Sequence, residues 1–152
     1  VPSTIFLENL LAEQGLIAKS QPSAEEQNDI EIGIAAIRSM SSQDIGQLVV
    51  VRDGVVVAVE AVEGSDATIR RGGELGGAGT VVVKFAKLTQ DMRFDVPVIG
   101  TKTMQTLIEA RSRVLAVEAG RCLIMDPDQV VRMANTHNIA IVGCPPLGQP
   151  LK

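Results

Sequence analysis

At 152 residues the chain is long enough for one domain with a real core and too short for two ordinary ones. Hydrophobic residues make up 45% and charged residues 21%, a globular composition that excludes intrinsic disorder. The formal charge of −4, the lack of Trp and Tyr, and aromatics only at Phe6, Phe85 and Phe94 argue against a nucleic-acid-binding domain, which needs a basic face and stacking rings.

In chain order, Thr4 to Glu13 reads as a short helix with Ile5, Leu7, Leu10 and Leu11 apolar, stopped by Gly15. Ser23-Ala24-Glu25-Glu26 has the form of a capping box, and the helix it opens carries Ile30, Ile34 and Ile37 on one stripe. Gly33 and Ala36 are small enough there for close packing. Gln47 to Arg52 and Val55 to Val62 read as the arms of a hairpin turning at Asp53-Gly54, and near-continuous valine predicts an arm buried on both faces. Ser65 is placed to cap a helix from Asp66 to about Arg71. The stretch Gly72 to Gly79, with five glycines in eight residues, reads as a flexible connector. It holds neither phosphate-loop nor dinucleotide-loop spacing.

A strand over Thr80 to Phe85 precedes Val98-Ile99-Gly100 and a helix from Lys102 to about Arg111, with Met104, Leu107 and Ile108 inward. Val114 to Val117 and Cys122 to Met125 read as short strands. Asp126 and Pro127 open the last helix as cap and first residue, with His137 in its last turn. Ile139 to Val142 closes the fold, and Pro145 to Lys152 reads as a loose tail. The pattern predicts a single α/β domain, a mixed sheet containing a β-hairpin and flanked by helices.

Cys122 and Cys144 need no disulfide in a chain with this much core, and Cys122 reads as a buried, inert thiol. With one histidine and no Cys/His cluster, a Ser-His-Asp hydrolase or a zinc site is hard to build. No segment approaches the ~18 apolar residues of a membrane span, and no signal peptide is visible, so the expectation is cytoplasmic. The start at Val1 rather than Met fits a piece of something longer.

The segment Lys84 to Pro97 packs Lys84, Lys87, Gln90, Asp91, Arg93 and Asp95 directly after Val81-Val82-Val83. Such cations suit phosphate oxygens, and such carboxylates suit a hard metal such as Mg²⁺; the alternative is a solvated loop with local ion pairs. Asp44-Ile45-Gly46-Gln47 is either a plain turn or part of the same site. Glu60, Glu63 and Asp66 crowd one strand end. Glu60 sits in an otherwise apolar run, where an unpaired carboxylate is costly, and Glu118 is the same kind of anomaly. Acids at neighbouring strand ends converge on one edge of a sheet, where α/β folds place ligands.

Taken in order, Asp44 to Gln47, Ala58 to Asp66, Val82-Val83-Lys84, Gln90 to Pro97 and Ala116 to Gly120 resemble the C-terminal domain of the LpxI-type UDP-2,3-diacylglucosamine pyrophosphatases, over about Phe6 to Gly143. The resemblance implies a catalytic-type domain over 1–144, a flexible tail over 145–152, and a separate N-terminal domain that this chain lacks. It also implies Mg²⁺-dependent hydrolysis of UDP-2,3-diacylglucosamine to UMP and 2,3-diacylglucosamine 1-phosphate in lipid A biosynthesis, by a cytoplasmic protein peripheral to the inner membrane of Gram-negative bacteria. On it, Asp66, Asp91 and Asp95 are expected to hold Mg²⁺ and position the water. Lys84, Lys87 and Arg93 would neutralise phosphate, and Gln90 would donate a hydrogen bond. Gln47, Glu60, Glu63 and Glu118 would contact the sugar or support the site. Leu88-Thr89 departs from a more usual Pro-Gly, and Ser65 from a commoner Thr, keeping the hydroxyl. Two other readings stand beside this one: a non-catalytic domain binding the nucleotide-sugar lipid, and a domain that dimerises through its Val-rich hairpin.

Overall fold

The structure, a computed structural model, describes residues 10–88 and 94–146, with the backbone alone described at 41, 87, 88, 94 and 95. Strand β2 (Leu48–Arg52) and strand β4 (Val81–Lys84) are valine-rich because both of their faces are covered. Val49, Val51, Val81 and Val83 meet helix α1 (Ala24–Ser41) through Ile30, Ile34, Ile37 and Met40. Leu48, Val50 and Val82 alternate to the other face. There they meet helices α2 (Ser65–Gly76), α3 (Thr101–Glu109) and α4 (Pro127–Thr136) through Ile69, Met104, Leu107, Val130 and Ala134. Burying each isoleucine of the α1 stripe is worth about 2 kcal/mol.

The main sheet has six strands in the order β1-β10-β8-β4-β2-β3. Its centre is parallel: β10 (Ala140–Cys144) lies beside β8 (Val114–Glu118), which lies beside β4. On one flank β2 runs antiparallel to β4 and turns into β3 (Val55–Val59); on the other, β1 (Gly15–Leu16) is antiparallel to β10. Two small pairs complete the described structure. β5 (Lys87–Leu88) pairs with β6 (Phe94–Asp95), and β7 (Val98–Ile99) pairs in parallel with β9 (Leu123–Ile124). The expected mixed-sheet α/β domain with its hairpin is what forms.

The capping box is present, with the Glu26 N–H donating to Ser23 Oγ and the Ser23 N–H donating to Glu26 Oε1. Gly33 brings α1 close to the sheet, since a Cβ there would lie 2.5 Å from Val83 Cγ2. Other expectations are corrected. Helix α2 is capped by Gly64 rather than Ser65 and runs on through Gly72 and Gly73 to Gly76, so most of the glycine stretch is helix, not connector. Packing overrides propensity there, because Gly72 lies against Val50 and a side chain would not fit. Leu11 bridges Leu123, and the Ala12 N–H donates to the Cys122 carbonyl, so the described end of the expected first helix is extended. The rest of that helix falls on residues 1–9, outside those described. Gly15 begins a strand instead of stopping a helix. The second hairpin arm ends at Val59, not Val62. Asp126 occupies the cap position of α4 but with left-handed backbone and no side-chain capping bond.

Candidate active site

Parallel strands β4 and β8 end on the same side of the sheet, where Lys84 and Glu118 are their last residues. Because β2 runs the other way, its start at Gln47-Leu48 meets that edge, and β3 returns to it at Val59-Glu60. Helices α2 and α3 begin there, at Gly64 and Gly100, where glycine offers no side chain to the first helical amides, while the Gly100 N–H donates to Thr103 Oγ1 at 3.3 Å. Helix N-termini carry a partial positive charge and unsatisfied N–H groups, the features that bind phosphate. The grooves at Arg70, Glu74, Glu109 and Arg111, and at Asp29, Asp53 and Gly54, lie at the opposite end of the sheet.

Glu60, the acid expected to be costly in an apolar strand, is buried and satisfied. Its Oε1 accepts the Gln47 N–H at 2.8 Å and its Oε2 accepts the Ser65 hydroxyl at 3.1 Å. One carboxylate thus joins the start of β2, the end of β3 and the first turn of α2. Glu63 does similar work in the adjoining turn, accepting from the Ala61 N–H at 2.9 Å and the Thr68 hydroxyl at 3.0 Å and pairing with Arg71 at 3.1 Å. These contacts hold the Glu63 carboxyl below its ordinary pKa, the Ala61 N–H first among them. The Arg71 guanidinium also donates to the Val59 carbonyl at the strand edge.

Lys84 is only 7% exposed, and its Nζ donates to the Val98 carbonyl at 3.3 Å. Glu118 is fully buried; Oε1 accepts the Ala86 N–H at 3.1 Å and Oε2 faces Arg121 Nη1 at 3.5 Å. Both charges act on the buried Cys122 thiol, which burial pushes up to about 12. Cys122 is therefore the inert thiol expected.

Asp66 stands in the first turn of α2, its side chain 28% exposed, with Oδ2 3.7 Å from Lys102 Nζ. Lys102 is 86% exposed, so this pair is loose and leaves the carboxylate open to a ligand. Asp95 and Lys87 are opposite partners in the β5–β6 pair. Gln90, Asp91 and Arg93 lie outside the described residues, as does the Thr89 departure. Among the described residues no group of three His, Cys, Asp or Glu is arranged to hold a metal. The donor that is described, an open carboxylate at a helix start, has the hard-oxygen chemistry Mg²⁺ takes.

The edge therefore brings together Gln47, Glu60, Glu63, Asp66, Lys84 and Glu118 from four strand ends and one helix start. Two further charged residues belong to it that the sequence reading passed over. A lysine in the first turn of a helix opposes the helix dipole, which was the available signal for Lys102. Arg121 stands three residues beyond Glu118, the spacing of a charge pair across a turn.

Residues 13–142 match the family described as the LpxI C-terminal domain. The chain is also 34% identical over 145 residues to the UDP-2,3-diacylglucosamine pyrophosphatase LpxI of Caulobacter vibrioides, an alignment covering 90% of this chain and 52% of that relative. The chain thus spans about half the length of the curated relative it matches. The match takes in the whole site edge from Gln47 to Glu118, and the chain belongs to the LpxI C-terminal domain family.

Proposed function

We propose that this chain is the catalytic half of a UDP-2,3-diacylglucosamine pyrophosphatase of lipid A biosynthesis, releasing UMP and 2,3-diacylglucosamine 1-phosphate and working beside an N-terminal domain. The observation that carries the reading is the meeting, at one sheet edge, of a nearly buried lysine, an open aspartate and two helix starts whose cap residue is glycine. A diphosphate needs its charge neutralised and a water oriented, and preorganised donors at a sheet edge do this without reorganising during reaction.

Water adds across the phosphoanhydride: one phosphorus gains the water oxygen, its bond to the bridging oxygen breaks, and that oxygen leaves with the other phosphate. In this reading Lys84, Lys87 and Arg93 neutralise phosphate oxygens, and the dipoles of the α2 and α3 N-termini add to that field. Gln90 gives a directional hydrogen bond. Mg²⁺ would be held by Asp66, Asp91 and Asp95, where it would supply charge stabilisation at phosphorus. Gln47, Glu60, Glu63 and Glu118 support the loops from which these groups project. The diacylated substrate places the work at the inner-membrane surface on the cytoplasmic side; among the described residues no helix is long and apolar enough to cross a membrane.

The test is UMP release from UDP-2,3-diacylglucosamine with Mg²⁺, by the chain alone and with the N-terminal domain supplied. Turnover that Asp95→Ala lowers at least about 10²-fold supports the reading. Saturable binding without UMP under both conditions would make the chain a binding module instead.

A further inference from the structure

We infer that Glu118 is a positioning residue that fixes the β5–β6 pair, and with it the backbone at Lys87 and Asp95, relative to Lys84. The inference rests on the pyrophosphatase reading for what the pair serves, and on geometry alone for what Glu118 holds. Glu118 is fully buried, so its carboxylate is available to the main chain around it.

What it does reach is the point where the chain leaves the sheet. Lys84 is the last residue of β4, and β5 begins three residues later. Between them the Phe85 N–H donates toward β2, to the Gln47 carbonyl at 2.9 Å, and the Ala86 N–H donates toward β8, to Glu118 Oε1 at 3.1 Å. The departing strand is thus gripped from both neighbours. On the β8 side the main chain is already engaged: the Glu118 carbonyl accepts from the Arg121 N–H, and the Ala119 N–H donates to Cys144. A side chain therefore extends the β4–β8 pairing past the end of β8. A carboxylate is the stronger acceptor for that N–H, and the Arg121 guanidinium offsets its burial. Beyond Ala86 the chain enters β5, whose register sets Lys87 opposite Asp95, so a rotation at Ala86 carries both residues with it.

Amide hydrogen exchange on this chain tests the grip directly. In Glu118→Ala, exchange at Ala86, Lys87 and Leu88 should accelerate at least about tenfold while the centre of β8 and β10 stays protected. Glu118→Gln, whose amide oxygen still accepts from Ala86, should stay near wild type. If Glu118→Ala fails to fold, Glu118→Asp, which draws the carboxylate back by one methylene, is read the same way. Unchanged exchange at these amides in the folded variant overturns the inference. In the UMP assay, with the N-terminal domain supplied, kcat should fall about 10²-fold with KM little changed, and Glu118→Gln should restore most of it. A fall in both parameters without rescue by glutamine would also overturn it. If wild type releases no UMP but the exchange result holds, the pyrophosphatase reading fails and the grip on Ala86 stands.

Discussion

Replacing Gly72 with alanine opposes two effects whose sizes the structure ranks. In favour, alanine in a helix interior gains about 1 kcal/mol over glycine. Against, the added Cβ would lie 2.5, 2.7 and 2.8 Å from Val50 Cγ1, Cβ and Cγ2. Val50 is itself fully buried, in a strand with helices on both faces, so it has no room to retreat. Overpacking of that kind costs about 1–3 kcal/mol, and a β-branched neighbour belongs at the upper end. The net expectation is a loss of about 1–2 kcal/mol, which for a domain of this length lowers Tm by about 3–6 °C. Urea and thermal unfolding followed by circular dichroism read this out, with the exposed Glu74→Ala on the same helix as a control close to wild type. A flexible connector would behave the other way, since glycine-to-alanine there stabilises by about 0.4–1 kcal/mol through the unfolded chain. A Gly72→Ala protein as stable as wild type, or more so, would refute the packing of α2 on Val50.

Glu60→Ala strands the Gln47 N–H and the Ser65 hydroxyl together and should cost about 2–3 kcal/mol in urea unfolding, while Glu60→Gln, keeping one acceptor, should cost about half as much. Both thiols should resist a disulfide exchange reagent in the native protein and react on unfolding, because burial raises Cys122 from 9.0 to about 12 and Cys144 to about 11. Since those folded values lie above the unfolded ones, stability is intact below pH 9.0 and falls as pH rises beyond it; a Cys122→Ser, Cys144→Ser protein should show a flatter alkaline profile. Glu63 has the opposite sign: its folded pKa lies below 4.5, so its contribution is present above pH 4.5 and is lost as pH falls through the folded value. The difference in unfolding free energy between wild type and Glu63→Gln should therefore shrink on acidification, and a difference that grows would contradict the Ala61 and Thr68 contacts.

How far the sequence alone could be read depends on the range of the forces involved. The capping box, the Asp53-Gly54 hairpin and the doubly buried valine strands are local or periodic signals, and each forms as read. Leu10-Leu11 and Gly72-Gly73 misled because their conformations are decided by distant partners, strand β9 for the first and Val50 for the second. The site divides in the same way. Glu60 and Glu118 were legible as anomalies, because an acid in an apolar strand demands an explanation. What they hold was not legible, since Gln47 lies 13 residues from Glu60 and Ala86 lies 32 residues from Glu118.

On the proposed function, that division bears on how an acidic edge would accept a diphosphate. Glu63 and Glu118 each have a guanidinium beside them. Among the described residues no cation pairs with Glu60, but its carboxylate lies against the hydroxyl of the first residue of α2, where the helix dipole favours negative charge. Each glutamate is thus directed at a backbone N–H; Glu60 and Glu118 are buried, while Glu63 does this in an exposed turn. Asp66 differs, being open and held only by a loose pair with an exposed lysine. A fold that used its glutamates for ligands would have left the strand ends without their side-chain acceptors. By directing them at backbone N–H groups it fixes the loops and leaves Asp66 with only a loose ion pair. This is why substitutions at the glutamates should act first on stability and exchange, and substitutions at Asp66 first on ligand affinity.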